Sequence, residues 1–276
     1  MSGNGLIGHT GFVGGNLARQ LPFDHLFNSK NVEDLAGLTL DLLVISGAPA
    51  AKWLANREPE ADRATIDRLI RAVRSVARAE RVVLVSTVDV YPEPVEVDEA
   101  TVIDRDRQHA YGRHRHLLED AVVDRFGGRA LVLRLPALFG PGLKKNAIYD
   151  LLHDNEVHKV HADGVFQFYD VRWLPDDLAR AAAARLTLLN LTTTPLRTGD
   201  LARQALDLEF DHRPEGARPG RYDVRSLHAA ALGGRDGYVH DGAAVLEALR
   251  GFARETRAAR PAGEPGGAAG QPGGAP

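Results

Sequence analysis

Three glycines spaced three residues apart, Gly8, Gly11 and Gly14, sit directly behind a short apolar run and constrain this chain more than any other feature. Gly5–Gly8 reads as a strand. Phe12, Val13, Leu17, Ala18 and Leu21 then share one face of a helix, which Pro22 stops. The turn between them, Gly8-His9-Thr10-Gly11-Phe12-Val13-Gly14, needs residues without Cβ, so that main chain can approach a pyrophosphate. The helix N-terminus offers N–H groups and the positive end of its dipole. The last glycine lets helix and strand pack closely. The strand–turn–helix context makes a weak glycine pattern informative. Gly8, Thr10, Gly11, Phe12, Val13 and Gly14 are therefore expected to hold the diphosphate of a dinucleotide.

Strand and helix patterns continue to alternate. His25–Phe27, Leu40–Ser46, Val82–Ser86 and Ala130–Leu135 read as strands. One helix carries Ile66, Leu69, Ile70, Val73, Val76 and Ala77, and another spans His109–Phe126. Pro175–Leu186 and Leu188–Thr192 form a last helix–strand repeat. This order predicts an α/β fold, a Rossmann-type doubly wound parallel sheet within residues 1–258. A small C-terminal substrate lobe is expected from about 137–172 and 196–258. The stretch 259–276, rich in Gly and Pro, reads as a flexible tail.

Composition removes several function classes. A net charge of −3 disfavours a protein that grips nucleic acid through its phosphates. The absence of cysteine excludes a disulfide scaffold, a thiolate nucleophile and cysteine-ligated metal. No apolar run is long enough for a membrane span and no secretory leader is evident, so a cytoplasmic location is expected. No residue set predicts a metal site. His109, His114 and His116 read as surface histidines of a helix.

The end of the second strand selects between cofactors. An acid there favours NAD by accepting from the adenosine ribose. The chain instead runs Phe27-Asn28-Ser29-Lys30. Asn28, Ser29 and Lys30 are expected to meet the adenosine ribose, and Lys30 tilts the expectation from NAD toward NADP. Gly47 and Ala48 behind the third strand, and Pro136 behind the fifth, complete the expected cofactor contacts.

The fourth strand ends in Ser86-Thr87-Val88-Asp89-Val90-Tyr91, and the helix after it carries Tyr111-Gly112-Arg113-His114-Arg115. With the glycine loop, the Phe139-Gly140-Pro141-Gly142 turn and Leu189-Asn190-Leu191 before Pro195, these segments resemble the extended short-chain dehydrogenase/reductases, the NAD-dependent epimerase/dehydratase family. The likeness spans roughly residues 4–207. It implies Tyr111 as the general acid/base and Thr87 as the group that orients the reacting oxygen. The family pattern is Tyr-x-x-x-Lys, whose lysine lowers the phenol pKa and holds the nicotinamide ribose. Arg115 stands at that position, on the same helix face as Tyr111. It is expected to anchor the ribose and supply charge, although an arginine relays no proton.

The resemblance further implies a small polar substrate such as a sugar nucleotide, reduced at a ketone or epimerised through one. Asp89, Lys144, Lys145, Asn146 and Gln167 are expected on the substrate side. Homodimer formation is expected from the resemblance alone. The alternative reading is a non-redox dinucleotide-binding sensor or scaffold that kept the fold without the lysine.

Overall fold

The computed structural model describes residues 3–259. Apart from Ala259, the segment expected to be a tail lies outside the described residues. The strands are β1 (Gly3–Ile7), β2 (His25–Phe27), β3 (Thr39–Ile45), β4 (Arg78–Thr87), β5 (Val95–Val97), β6 (Ala130–Leu135), β7 (Ala137–Phe139), β8 (Val165–Phe166), β9 (Phe168–Asp170), β10 (Leu188–Asn190), β11 (Leu196–Arg197) and β12 (Asp223–Val224). The helices are α1 (Phe12–Gln20), α2 (Lys52–Arg57), α3 (Pro59–Ser75), α4 (Ala110–Phe126), α5 (Ala147–His153), α6 (Leu174–Ala183), α7 (Thr198–Leu206) and α8 (Gly242–Ala258).

Six strands form one sheet in the order β10-β6-β4-β3-β1-β2, with every pairing parallel. Its near-continuous apolar strands bury alternate residues on opposite faces. Ile7, Leu43, Ile45, Val82, Leu84 and Val132 pack with Ile66, Leu69 and Val73 of α3 and Leu118, Val122 and Phe126 of α4. Leu6, Val44, Val83, Leu131 and Leu133 face the other way, toward Leu17 of α1 and Leu174 and Ala181 of α6. The expected doubly wound sheet is the fold observed.

Several boundaries differ from expectation; β4, for instance, begins at Arg78 rather than Val82. α3 ends at Ser75, so Val76 and Ala77 form the link into β4, although Val76 still joins the core. The short α2 lies outside the elements expected from the sequence. A separate apolar core joins Phe139, Ile148, Leu151, Phe168, Leu201, Leu206, Val245, Leu249 and Phe252, drawn from segments after β6. It sits beside the sheet, with β7 paired to β9 and β8 to β11. β12 pairs with β5, tying the 223–224 segment to the chain just beyond β4. The carboxyl ends of β1, β3 and β4 therefore lie next to one another beside this second core, where open parallel sheets place ligands.

Candidate active site

At the end of β1, Gly8 adopts φ +89°, and its N–H donates to the Phe27 carbonyl at 2.8 Å. A Cβ on Gly8 would lie 2.4 Å from the Ser46 carbonyl oxygen, and one on Gly14 would lie 2.2 Å from that of Gly8. Both positions demand glycine. Gly11 is exposed, and a Cβ there would meet only the Gly8 carbonyl oxygen, at 3.3 Å. It is the N-cap of α1, and no side chain closes that end. The first-turn N–H groups of Phe12 and Val13 are thus left to a ligand beside the exposed Thr10. This cradle fits a pyrophosphate.

Gly47 and Ala48 continue the same rim. A Cβ on Gly47 would lie 2.9 Å from Ile7, while Ala48 packs on the core. Beyond β2, Asn28 donates to His9 Nε2 at 3.2 Å and accepts from the Lys30 N–H at 2.8 Å. Ser29 and Lys30 are exposed at this edge.

Tyr111 lies in the first turn of α4 and is 9% exposed. Its position is set by main chain. The Tyr111 N–H donates to Asn56 Oδ1 at 3.0 Å, and the next residue, Gly112, touches β4's extension so closely that a Cβ would lie 2.2 Å from the Asp89 carbonyl oxygen. His109 caps the helix, its Nδ1 accepting from the Gly112 N–H at 3.1 Å. Burial raises the Tyr111 phenol above its ordinary pKa, while the Arg115 charge and a Thr87 hydrogen bond pull it down. The structure thus brings together Tyr111, Thr87 and Arg115.

Arg115, however, is 2% exposed and already engaged. Its guanidinium lies 4.0 Å from the centre of the Tyr111 ring. Nη1 and Nη2 donate to the two carboxylate oxygens of Asp62 at 2.5 and 2.9 Å. Nη2 also reaches the Pro49 carbonyl at 2.5 Å and Nη1 that of Tyr111 at 3.3 Å, while Nε is buried without a partner. The expected charge beside the phenol is in place. The expected ribose anchor is corrected: the fork points at α3 and the loop after β3, and no solvent-facing donor remains. His114 is corrected too. It is buried and donates from Nδ1 to Asp62 at 2.7 Å, so it is not a surface histidine. Burial alone would raise the Asp62 pKa, but the hydrogen bonds from Arg115 and His114 outweigh it and hold the carboxyl below its ordinary value.

Asp89 follows Thr87 on a short turn, its N–H donating to Thr87 Oγ1 at 3.1 Å. Its Oδ1 accepts from Lys52 Nζ at 2.7 Å and from the Tyr222 hydroxyl at 2.8 Å. Burial, then the Asp89 charge, raises the Tyr222 pKa, so this phenol keeps its proton. Burial and the neighbouring Lys52 charge lower that of His109. Sequence reasoning missed Lys52, Asp62 and Tyr222, because each reaches the site from an element distant in sequence.

The remaining candidates divide. Lys145 reaches from the segment before α5 to the Ala50 carbonyl at 2.9 Å, and burial lowers its pKa. Lys144 is exposed beside it, and Asn146 caps α5 by accepting from the Tyr149 N–H at 3.1 Å. Pro136 is buried between β6 and β7. Gln167 does not join the site. It is 1% exposed, and its amide is consumed by the carbonyls of Thr193 and Val224 and the Val224 N–H, a lock between strands that leaves nothing for a substrate. Among the described residues no group of three or more acidic or histidine side chains is placed to hold a metal, and no helix is long and apolar enough to cross a membrane.

The family model for the NAD dependent epimerase/dehydratase family matches residues 24–162, half of the chain. The chain belongs to this family. No curated protein matches it. Among solved structures, the family fold recurs in RMD from Pseudomonas aeruginosa, complexed with NADPH, at a TM-score of 0.71 and 17% identity over 93% of this chain and 100% of that one. A UDP-N-acetylglucosamine 4-epimerase from Methanobrevibacter ruminantium, complexed with UDP-N-acetylmuramic acid, gives 0.70 and 14% over 93% and 98%. A dTDP-4-dehydrorhamnose reductase from Yersinia enterocolitica gives 0.69 and 14% over 91% and 98%. At these identities the likeness is one of fold, and it extends past the matched segment into the C-terminal core of this family member.

Proposed function

We propose that this chain is an NAD(P)-dependent reductase or epimerase acting on a sugar nucleotide or a similar hydroxy/keto compound. The observation that carries the reading is two groups of residues at the carboxyl ends of nearby strands of one sheet. The glycine cradle lies at the end of β1, and Tyr111 with Thr87 lies two strands away at the end of β4. Membership of the family and the sugar nucleotides named with its structural neighbours support the same reading.

The first-turn N–H groups of α1 hold the pyrophosphate, and Asn28, Ser29 and Lys30 face the adenosine ribose. The exposed Lys30, with no acid beside it at the strand end, favours the 2′-phosphate of NADP. Bound nicotinamide supplies or accepts the hydride. Thr87 orients the substrate oxygen, and Tyr111 donates a proton to the carbonyl in reduction or takes the hydroxyl proton in oxidation. Arg115 lies beside the ring and favours phenolate without moving a proton itself. Lys144 and Lys145 line the substrate side, and Asp89 lies beside Thr87.

Calorimetric titration with the oxidised and reduced forms of NAD and NADP, followed by turnover of a panel of dTDP- and UDP-linked keto sugars, tests this reading. Binding with turnover is expected, and Tyr111→Phe is expected to keep binding while turnover falls by about a hundredfold to ten-thousandfold. Binding with no turnover on any member of the panel would favour the sensor reading.

A further inference from the structure

Arg115 leaves one task undone. A lysine four residues beyond the tyrosine would give both a charge for the phenol and donors for the ribose on the nicotinamide side. Arg115 has the charge beside the ring, but its donors are spent on Asp62, Pro49 and Tyr111 or buried. Under the dinucleotide reading, that ribose needs another partner.

β3 lies between β1 and β4, so a dinucleotide running from the glycine cradle to Tyr111 crosses the end of β3. The chain there turns through Gly47–Ala51 into α2, whose first residue is Lys52. Lys52 Nζ lies 2.7 Å from Asp89 Oδ1 and 3.2 Å from the Tyr222 hydroxyl, which uses two of its three N–H directions. Its side chain is 39% exposed, and among the described residues the third direction meets no hydrogen-bond partner. Among the described residues Asp89 makes its side-chain hydrogen bonds through Oδ1, which leaves Oδ2 as an acceptor. An ammonium donor beside a carboxylate acceptor matches a vicinal diol, each of whose hydroxyls both gives and accepts a proton. Asp89 is joined to Thr87 through its N–H, and its charge acts on the Tyr111 phenol, so this pair belongs to the nicotinamide end.

We propose that Lys52, held by Asp89 and Tyr222, anchors the nicotinamide-side ribose in place of a lysine at position 115. The two tasks of one lysine are thereby divided. Arg115 supplies charge to the ring, and Lys52 supplies donors to the sugar. This rests on the dinucleotide reading above.

The test compares two probes, NADPH (with NADH in parallel) and ADP, which lacks the nicotinamide ribose. Lys52→Met is expected to weaken binding of the reduced dinucleotide about tenfold while ADP affinity stays within twofold of wild type. Lys52→Arg, which keeps the charge and donors, is expected to recover part of the loss. Asp89→Asn gives the same selective loss and carries the test if Lys52→Met does not fold. Unchanged dinucleotide affinity in Lys52→Met, or an equal loss on ADP, overturns the assignment. Wild-type protein that binds none of the three probes overturns the dinucleotide reading itself, a result visible before any variant is made.

Discussion

The two ends of the candidate site are built from different materials. The cradle at β1 is made of main chain: three glycines, a strand end and an uncapped helix. The Tyr111 end is made of side chains gathered from α2, α3, β4, α4 and the segment before β12. A main-chain site tolerates one residue type at each tight position. A side-chain site can exchange its parts, provided some element supplies each charge and each donor. Arg115, where the family resemblance implies a lysine, lies at the end built of exchangeable side chains.

The largest expected effect breaks the side-chain end at its buried charge. Asp62→Ala strands Arg115 in the interior and is expected to cost about 3–5 kcal/mol, read from the denaturant midpoint. Arg115→Lys is expected to cost less but to remain destabilising, since an ammonium cannot satisfy Asp62 and Pro49 together as the fork does. Acid sharpens the same point. The folded-state pKa of Asp62 lies below its unfolded value, so its stabilisation is complete above about pH 4 and is lost as pH falls through the lower folded value. Acid titration of Asp62→Asn is expected to lack that component of the slope.

At the main-chain end, two glycines separate folding from binding. Gly14→Ala forces a Cβ onto the Gly8 carbonyl and is expected to cost about 1–3 kcal/mol together with dinucleotide affinity. Gly11→Ala has more room, so its stability is expected to change by less than about 1 kcal/mol while binding still falls. Equal losses of stability in the two variants would erase the contrast between them. The smallest effect is at the exposed rim. Lys30→Ala is expected to lower NADPH affinity by a few-fold and leave NADH nearly unchanged, checked by parallel titration.

The same division governs what could be read from the residues alone. The apolar runs at Val82–Ser86 and Ala130–Leu135 are buried on both faces, which is why they announced central strands of the sheet. The glycine spacing announced its own turn. Arg115 announced a charge beside Tyr111, but its direction depends on Asp62, 53 residues earlier on another helix, and no local pattern carries that information. Gln167 had the right chemistry for a substrate contact and is spent instead on joining strands. β5 and β12 are too short for any periodicity to stand out, although their pairing brings Tyr222 to Asp89.

Gly112 fixes how α4 meets the end of β4. With a Cβ there only 2.2 Å from the Asp89 carbonyl oxygen, helix and strand end meet backbone to backbone. That contact works as a mechanical stop: the spacing between Tyr111 and Thr87 is gauged by two rigid surfaces rather than by the fit of neighbouring side chains. Side chains around the phenol can then be exchanged while the spacing between Tyr111 and Thr87 is kept.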